Sequence, residues 1–247
     1  MFSWNDHTTK VYFASALLSI SCLVYGFHAG HFLFNALIIP SLLIGLFQKF
    51  KKEEKTFSPL LLVALFFGFV GDLLFAINSN VLFFKTIALS SFTVGQMAYF
   101  LLLIQGSPLK SYFQVPLGKR IPELISLMAL YASINNVFPN LGDFATQSLI
   151  YALISYLAFL ASLNRRFFVV PTSFRLVTIG FLLLWISDLL SGFDLLMQNK
   201  LNSSLSILSF SLGNFFLVNG ILIQSETENK KKEAPKKDAS INRFRFQ

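Results

Sequence analysis

Two aspartates raise the question of chemistry. Asp72, in FFGFVGDLLFAIN, and Asp188, in FLLLWISDLLSG, lie inside runs apolar enough for the core of a soluble protein, and neither run contains a Lys or Arg. An ionisable group in such a run is costly against lipid and belongs in a bundle interior or a water-filled cavity. Two carboxyls sharing one cavity without a countercharge favour a neutral acid beside a carboxylate, the arrangement acid–base chemistry needs. The plain alternative for either residue alone is an interhelical hydrogen bond that serves packing.

The context repeats. GDLL (residues 71–74) matches SDLL (187–190), and downstream VGQMAYF (94–100) matches LGNFFLV (212–218), each with a side-chain amide directly after a glycine. Gln96 and Asn214 are therefore candidate substrate-binding residues with Tyr99, although amides also bridge helices. Tyr131, Tyr151, Tyr156, Asn135 and Asn136 could add hydrogen bonds to a shared cavity. Asp194 reads as an interfacial, solvated residue near the end of its run. His28 and His31 have a spacing that could bind metal, but no carboxylate completes a set and the remaining histidine, His7, is near the terminus, so turn residues are the better reading. No phosphate-binding glycine loop, Cys/His cluster or G-x-S-x-G element is present, and no cofactor or metal is expected.

The elements that must position these residues are membrane spans. The chain of 247 residues is 54% hydrophobic with 30 Phe and only 13% charged, outside the balance of a soluble domain. Eight apolar runs, at 10–28, 31–48, 58–77, 83–104, 122–139, 144–163, 175–194 and 204–223, approach or exceed the ~18–20 residues that cross a ~30 Å hydrocarbon layer. They are apolar on every face, which excludes barrel strands. The expected fold is an all-α polytopic bundle of about eight transmembrane helices over residues 1–224, and the repeated motifs suggest two parallel four-helix halves. The pairs are joined by short turns such as HAGH, NSN and PNLGD. The first run exceeds the h-region of a signal peptide and reads as an uncleaved span. Cys22, the single cysteine, lies within it.

Positive charge is distributed by side. Lys49, Lys51, Lys52 and Lys55, then Lys110, Lys119 and Arg120, then Arg165, Arg166 and Arg175 fall after even-numbered spans, whereas the other side holds only Lys85 and Lys200. By the positive-inside rule both termini are cytoplasmic. The basic excess is therefore a topology signal and does not point to nucleic acid. Residues 225–247, charged and without apolar periodicity, read as a disordered cytoplasmic tail with affinity for anionic lipid.

The combination FGFVGDLLFAI, FTVGQMAYF and RLVTIGFLLLWISDLL resembles the paired signatures of the YhhN/lysoplasmalogenase family of multi-pass membrane proteins. Where that family often has His after the span-4 glycine, this chain has Gln96. The resemblance implies hydrolysis of the vinyl ether bond of lysoplasmalogens to a fatty aldehyde and a glycerophospho-base, with Asp72 and Asp188 as catalytic residues, a lysolipid as substrate and no cofactor. The competing readings are a proton- or cation-coupled transporter using the same carboxylates and a membrane scaffold. Composition suggests a bacterial inner membrane. The topology is checked by thiol labelling of intact cells: Lys52→Cys should resist an impermeant reagent and Lys200→Cys should react, and the reverse pattern would overturn the orientation.

Overall fold

The computed structural model describes residues 6–53, 58–76, 82–105, 116–138, 141–197 and 199–243. Among these, eight α-helices follow one another: α1 His7–Val24, α2 His28–Glu53, α3 Pro59–Ala76, α4 Leu82–Gln105, α5 Ile121–Val137, α6 Ala145–Asn164, α7 Pro171–Met197 and α8 Lys200–Arg243. Short 3-10 turns precede α5 and α6 and join α6 to α7, and no strand occurs among the described residues. The helices fall where the apolar runs predict, because a lipid-facing backbone has only its own segment to bond with. Five of them, α2, α4, α6, α7 and α8, are each long and apolar enough to cross a membrane, and α3 is apolar but shorter. The remaining two, α1 and α5, have 18 and 17 residues and dilute their apolar content with Lys10 and several Ser and Thr, or with Glu123, Asn135 and Asn136.

Glycine decides where the helices cross. A Cβ on Gly95 of α4 would stand 3.1 Å from the Ala64 carbonyl oxygen of α3, and one on Gly213 of α8 would stand 2.9 Å from the Gly180 carbonyl of α7. Association in lipid relies on such backbone approach, since apolar side chains gain nothing by leaving lipid for protein. Ala64 and Gly180 each stand eight residues before an aspartate, so the two hairpins cross at equivalent points. The sequence echo thus has a structural counterpart in α3/α4 and α7/α8. Their outer partners differ: α4 packs on α6, whereas α8 packs on α1. In the latter contact the Tyr12 hydroxyl donates to the Ser211 carbonyl at 2.6 Å and the rings of Tyr12 and Phe13 pack on Phe215.

Polar contacts tie the ends. On the face assigned to the cytoplasm, Lys49 pairs with Glu226 at 2.8 Å, and Arg166 forks onto both carboxylate oxygens of Glu123 at 2.7 and 3.1 Å. Buried Arg165 donates to the Ser173 hydroxyl, which donates to the Gly220 carbonyl, joining the α6–α7 connection to α8. At the opposite face Lys200 donates to the Val24 carbonyl and Lys85 lies over the Phe144 ring. Residues grouped on one side by charge therefore meet at one side of the bundle.

Two local expectations change. The reversal between α1 and α2 falls on Tyr25–Phe27, where Gly26 has φ 76°, and HAGH is the first turn of α2. His31 there shares a 2.9 Å hydrogen bond with the Ser19 hydroxyl of α1, so its nitrogen staples a hairpin. The segment 225–243, read from composition as disordered, continues α8 as helix. The NSN turn lies outside the described residues.

Gly180→Ala would bring a Cβ to 2.8 Å from the Gly213 carbonyl and the Leu217 amide, both backbone atoms that cannot swing aside. The substitution should lower the thermal unfolding midpoint in detergent, corresponding to about 1–3 kcal/mol; an unchanged midpoint would show that the α7/α8 crossing does not carry stability.

Candidate active site

The residue before each aspartate is a packing contact. A Cβ on Gly71 would lie 2.7 Å from the Phe92 ring of α4, so only glycine lets that ring close on α3. The same ring lies 6.1 Å from Tyr151 of α6, centre to centre. On α7, the Ser187 hydroxyl donates to the Ser206 carbonyl of α8 at 3.0 Å, and Ser206 bonds Ser191 at 2.7 Å. G-D and S-D are therefore two ways of bringing a neighbouring helix close while the next side chain turns to the interior.

Both aspartates turn inward. Asp72 follows the buried face of α3 marked by Leu61, Ala64, Leu65 and Gly71, opposite exposed Val63 and Phe66. The two carboxyl groups lie within electrostatic reach of each other, and neither forms an ion pair with a cation among the described residues. Tyr151 Oη donates to Asp188 Oδ2 at 2.7 Å, a short bond that fixes this carboxyl's orientation. Asp72 accepts no comparable bond among the described residues and remains half-buried. Of the two carboxyls, only Asp188 has such a bond among the described residues.

Gln96 and Tyr99 of α4 are 7% and 4% exposed, and Gln96 Oε1 and Tyr99 Oη lack a hydrogen-bond partner among the described residues. Gln96 also stands close enough to Tyr151 to act on its hydroxyl. Tyr99 meets the Phe181 ring of α7 edge-on at 5.7 Å. Buried polar atoms left without a partner are costly and mark places where water or a ligand would be bound. Asn214 behaves differently, since its amide donates to the Phe210 carbonyl of its own helix at 3.0 Å. Tyr131 is exposed on the outside of α5, Asn136 bonds back to Ala132, and Tyr156 stacks on Trp185 with its hydroxyl near the Glu123 carbonyl. Asn135 is exposed on α5. The side chain of Asp194 lies outside the described residues.

Tyr12 is absent from the residues singled out by sequence. It is 1% exposed on α1 and lies within electrostatic reach of Asp72 and Tyr99. Its signal is a helical stripe of small and polar residues, Thr9, Tyr12, Ser15, Ala16 and Ser19, all buried. No group of three or more metal-ligating side chains occurs among the described residues.

A sequence model of the YhhN family matches residues 30–221, well over half of the chain. The chain belongs to the YhhN family. No curated protein and no solved structure matches it. The YhhN match contains Asp72, Gln96, Tyr99, Tyr151, Asp188 and Asn214 and begins after α1, so Tyr12 joins the site from outside the matched segment. The Tyr151–Asp188 contact can be measured on its own. A double-mutant cycle of Tyr151→Phe and Asp188→Asn in thermal unfolding should give a coupling of about 0.5–2 kcal/mol, and strict additivity would mean that the bond is not formed.

Proposed function

We propose that this YhhN family member is a lysoplasmalogenase-like hydrolase of the membrane, cleaving the vinyl ether bond of a single-chain lysolipid by acid–base chemistry at Asp72 and Asp188. The observation that carries this reading is the pair of inward-facing carboxyls on α3 and α7, within electrostatic reach of each other, unpaired with a cation among the described residues and differently hydrogen-bonded. A vinyl ether is cleaved by adding a proton to the outer alkene carbon. The resulting oxocarbenium ion is attacked by water, and the hemiacetal collapses to a fatty aldehyde and the glycerophospho-base alcohol. One carboxyl must deliver a proton to carbon, and the other must stabilise the cation or take a proton from water.

Asp72, free of other bonds, suits the first task. Asp188, oriented by Tyr151, suits the second, since positioned groups are already set for the charge that develops. Gln96 and Tyr99 would bind substrate or the attacking water through their unpartnered atoms. Asn214 would support the site through α8. The substrate's chain would reach the site from the bilayer, with its headgroup near the interface and with membrane lipids as the surrounding solvent. The orientation with cytoplasmic termini in a bacterial inner membrane belongs to the same proposal.

A coupled transporter would be expected to break its helices at the site. Here α3 and α7 run unbroken through Asp72 and Asp188, which favours the hydrolase.

Aldehyde release from lysoplasmalogen by purified protein tests the proposal. Asp72→Asn and Asp188→Asn should each reduce the rate by about 10²–10⁴-fold with folding retained, and the double variant should be little worse than the weaker single one. A stable Asp188→Asn protein with normal turnover would rule out the two-carboxylate mechanism.

A further inference from the structure

Close approach accounts for most of the helical glycines, but not for Gly68. A Cβ at Gly71, Gly95, Gly180, Gly213 or Gly220 would lie 2.6–3.1 Å from a neighbouring atom, whereas one at Gly68 would meet nothing within 4 Å. Gly68 is half-buried, and its backbone amide stands 3.5 Å from the Cβ position of Gly95. It stands one turn before Asp72, on the face of α3 that buries Leu61, Ala64 and Leu65. A glycine inside a helix sacrifices propensity, and no packing contact at its Cβ position explains that sacrifice here. The internal repeat sharpens the comparison. The equivalent position before Asp188 is Leu184, which is 7% exposed and reaches 3.1 Å from the Cβ position of Gly213. One half of the bundle fills this place with a leucine, and the other leaves it open beside a carboxyl that no hydrogen bond holds.

From this geometry we infer that the space beside Gly68 is a slot for an unbranched hydrocarbon chain, seating its first carbons one turn from Asp72. The inference rests on the hydrolase reading and deepens it by naming the residue that admits the substrate. Its flanks, Ala64 and Leu65, are apolar, and a dry apolar space takes an apolar ligand in preference to water. Its counterpart in the other half is filled by the single side chain of Leu184, so the proposed slot would take one linear chain. A chain seated there holds its reacting end at Asp72, making Asp72 the carboxyl that faces the alkene carbon.

The test separates binding from turnover. Its probe is a saturated, ether-linked single-chain lysophospholipid, which has no vinyl ether to cleave, measured by equilibrium binding to the full chain in detergent. Gly68→Leu should weaken binding by about 10–100-fold, and Gly68→Ala by a smaller factor, the range that one or more methylene groups command in an apolar pocket. Val94→Leu, on the exposed face of α4, should bind as the unaltered protein does. A diacyl phospholipid should compete poorly. If Gly68→Leu does not insert, Gly68→Ala decides, because its added methyl group meets no atom. Unaltered binding by the Gly68 variants, no binding by the unaltered protein, or equal competition by the diacyl lipid would overturn the slot. Normal binding of the probe without aldehyde release from lysoplasmalogen would leave the slot standing and remove the hydrolase reading.

Discussion

Two carboxyl groups placed in hydrocarbon without a countercharge constrain the rest of the bundle. Because lipid cannot solvate them, Asp72 and Asp188 must face inward, and the helices bearing them must present the opposite face to the bilayer. Apart from Thr172 and Arg175 near the start of α7, the exposed positions described on α3 and α7 are accordingly apolar, among them Val63, Phe66, Ile179, Leu182 and Ile186. Inward placement also requires close neighbours, and the residues preceding the aspartates provide them. Gly71 admits Phe92, and Ser187 bonds α8. Motif and packing are thus one feature.

The two halves use the same crossing but arrive at different sites. Ala64 against Gly95 and Gly180 against Gly213 set the backbones equally close, which places the aspartates comparably. Divergence begins at the next shell. Tyr151 holds Asp188, while one turn before Asp72 the Cβ position of Gly68 meets no atom within 4 Å among the described residues. An exact two-fold would give two identical carboxyls competing for one role. Breaking it leaves Asp188 bonded by Tyr151 and Asp72 without such a bond among the described residues, an asymmetry that the proposed acid–base pair would use.

Stability and access are distributed along the same lines. The α7/α8 hairpin is knitted by serines and by three glycines at backbone contact, and the end bearing Ser173 and Gly220 is closed by Arg165. By contrast, α5 buries only Ser126, Leu130 and Val137 and is held chiefly by the Arg166–Glu123 fork. The rigid hairpin carries the held carboxyl.

Helix number, helix positions and the prominence of Asp72 and Asp188 were legible in the sequence, because hydrocarbon thickness sets span length and a carboxyl inside a span is conspicuous by its cost. Sidedness was legible too, in the sense that Lys49, Arg166 and their partners lie at one end of the bundle. Which tyrosine mattered was not. Tyr131, Tyr151 and Tyr156 look alike in composition, and only the rotation of α5 and α6 sends one to lipid, one to Asp188 and one to Trp185. Tyr12 was hidden for the same reason, since its relevance comes from α1 packing on α8. Asn214, equivalent to Gln96 by sequence, bonds its own helix. The helical state of 225–243 escaped a reading by composition. Spans follow from the local chain and the solvent around it, whereas the rotation of each helix and the emptiness beside Gly68 depend on what the other helices place there.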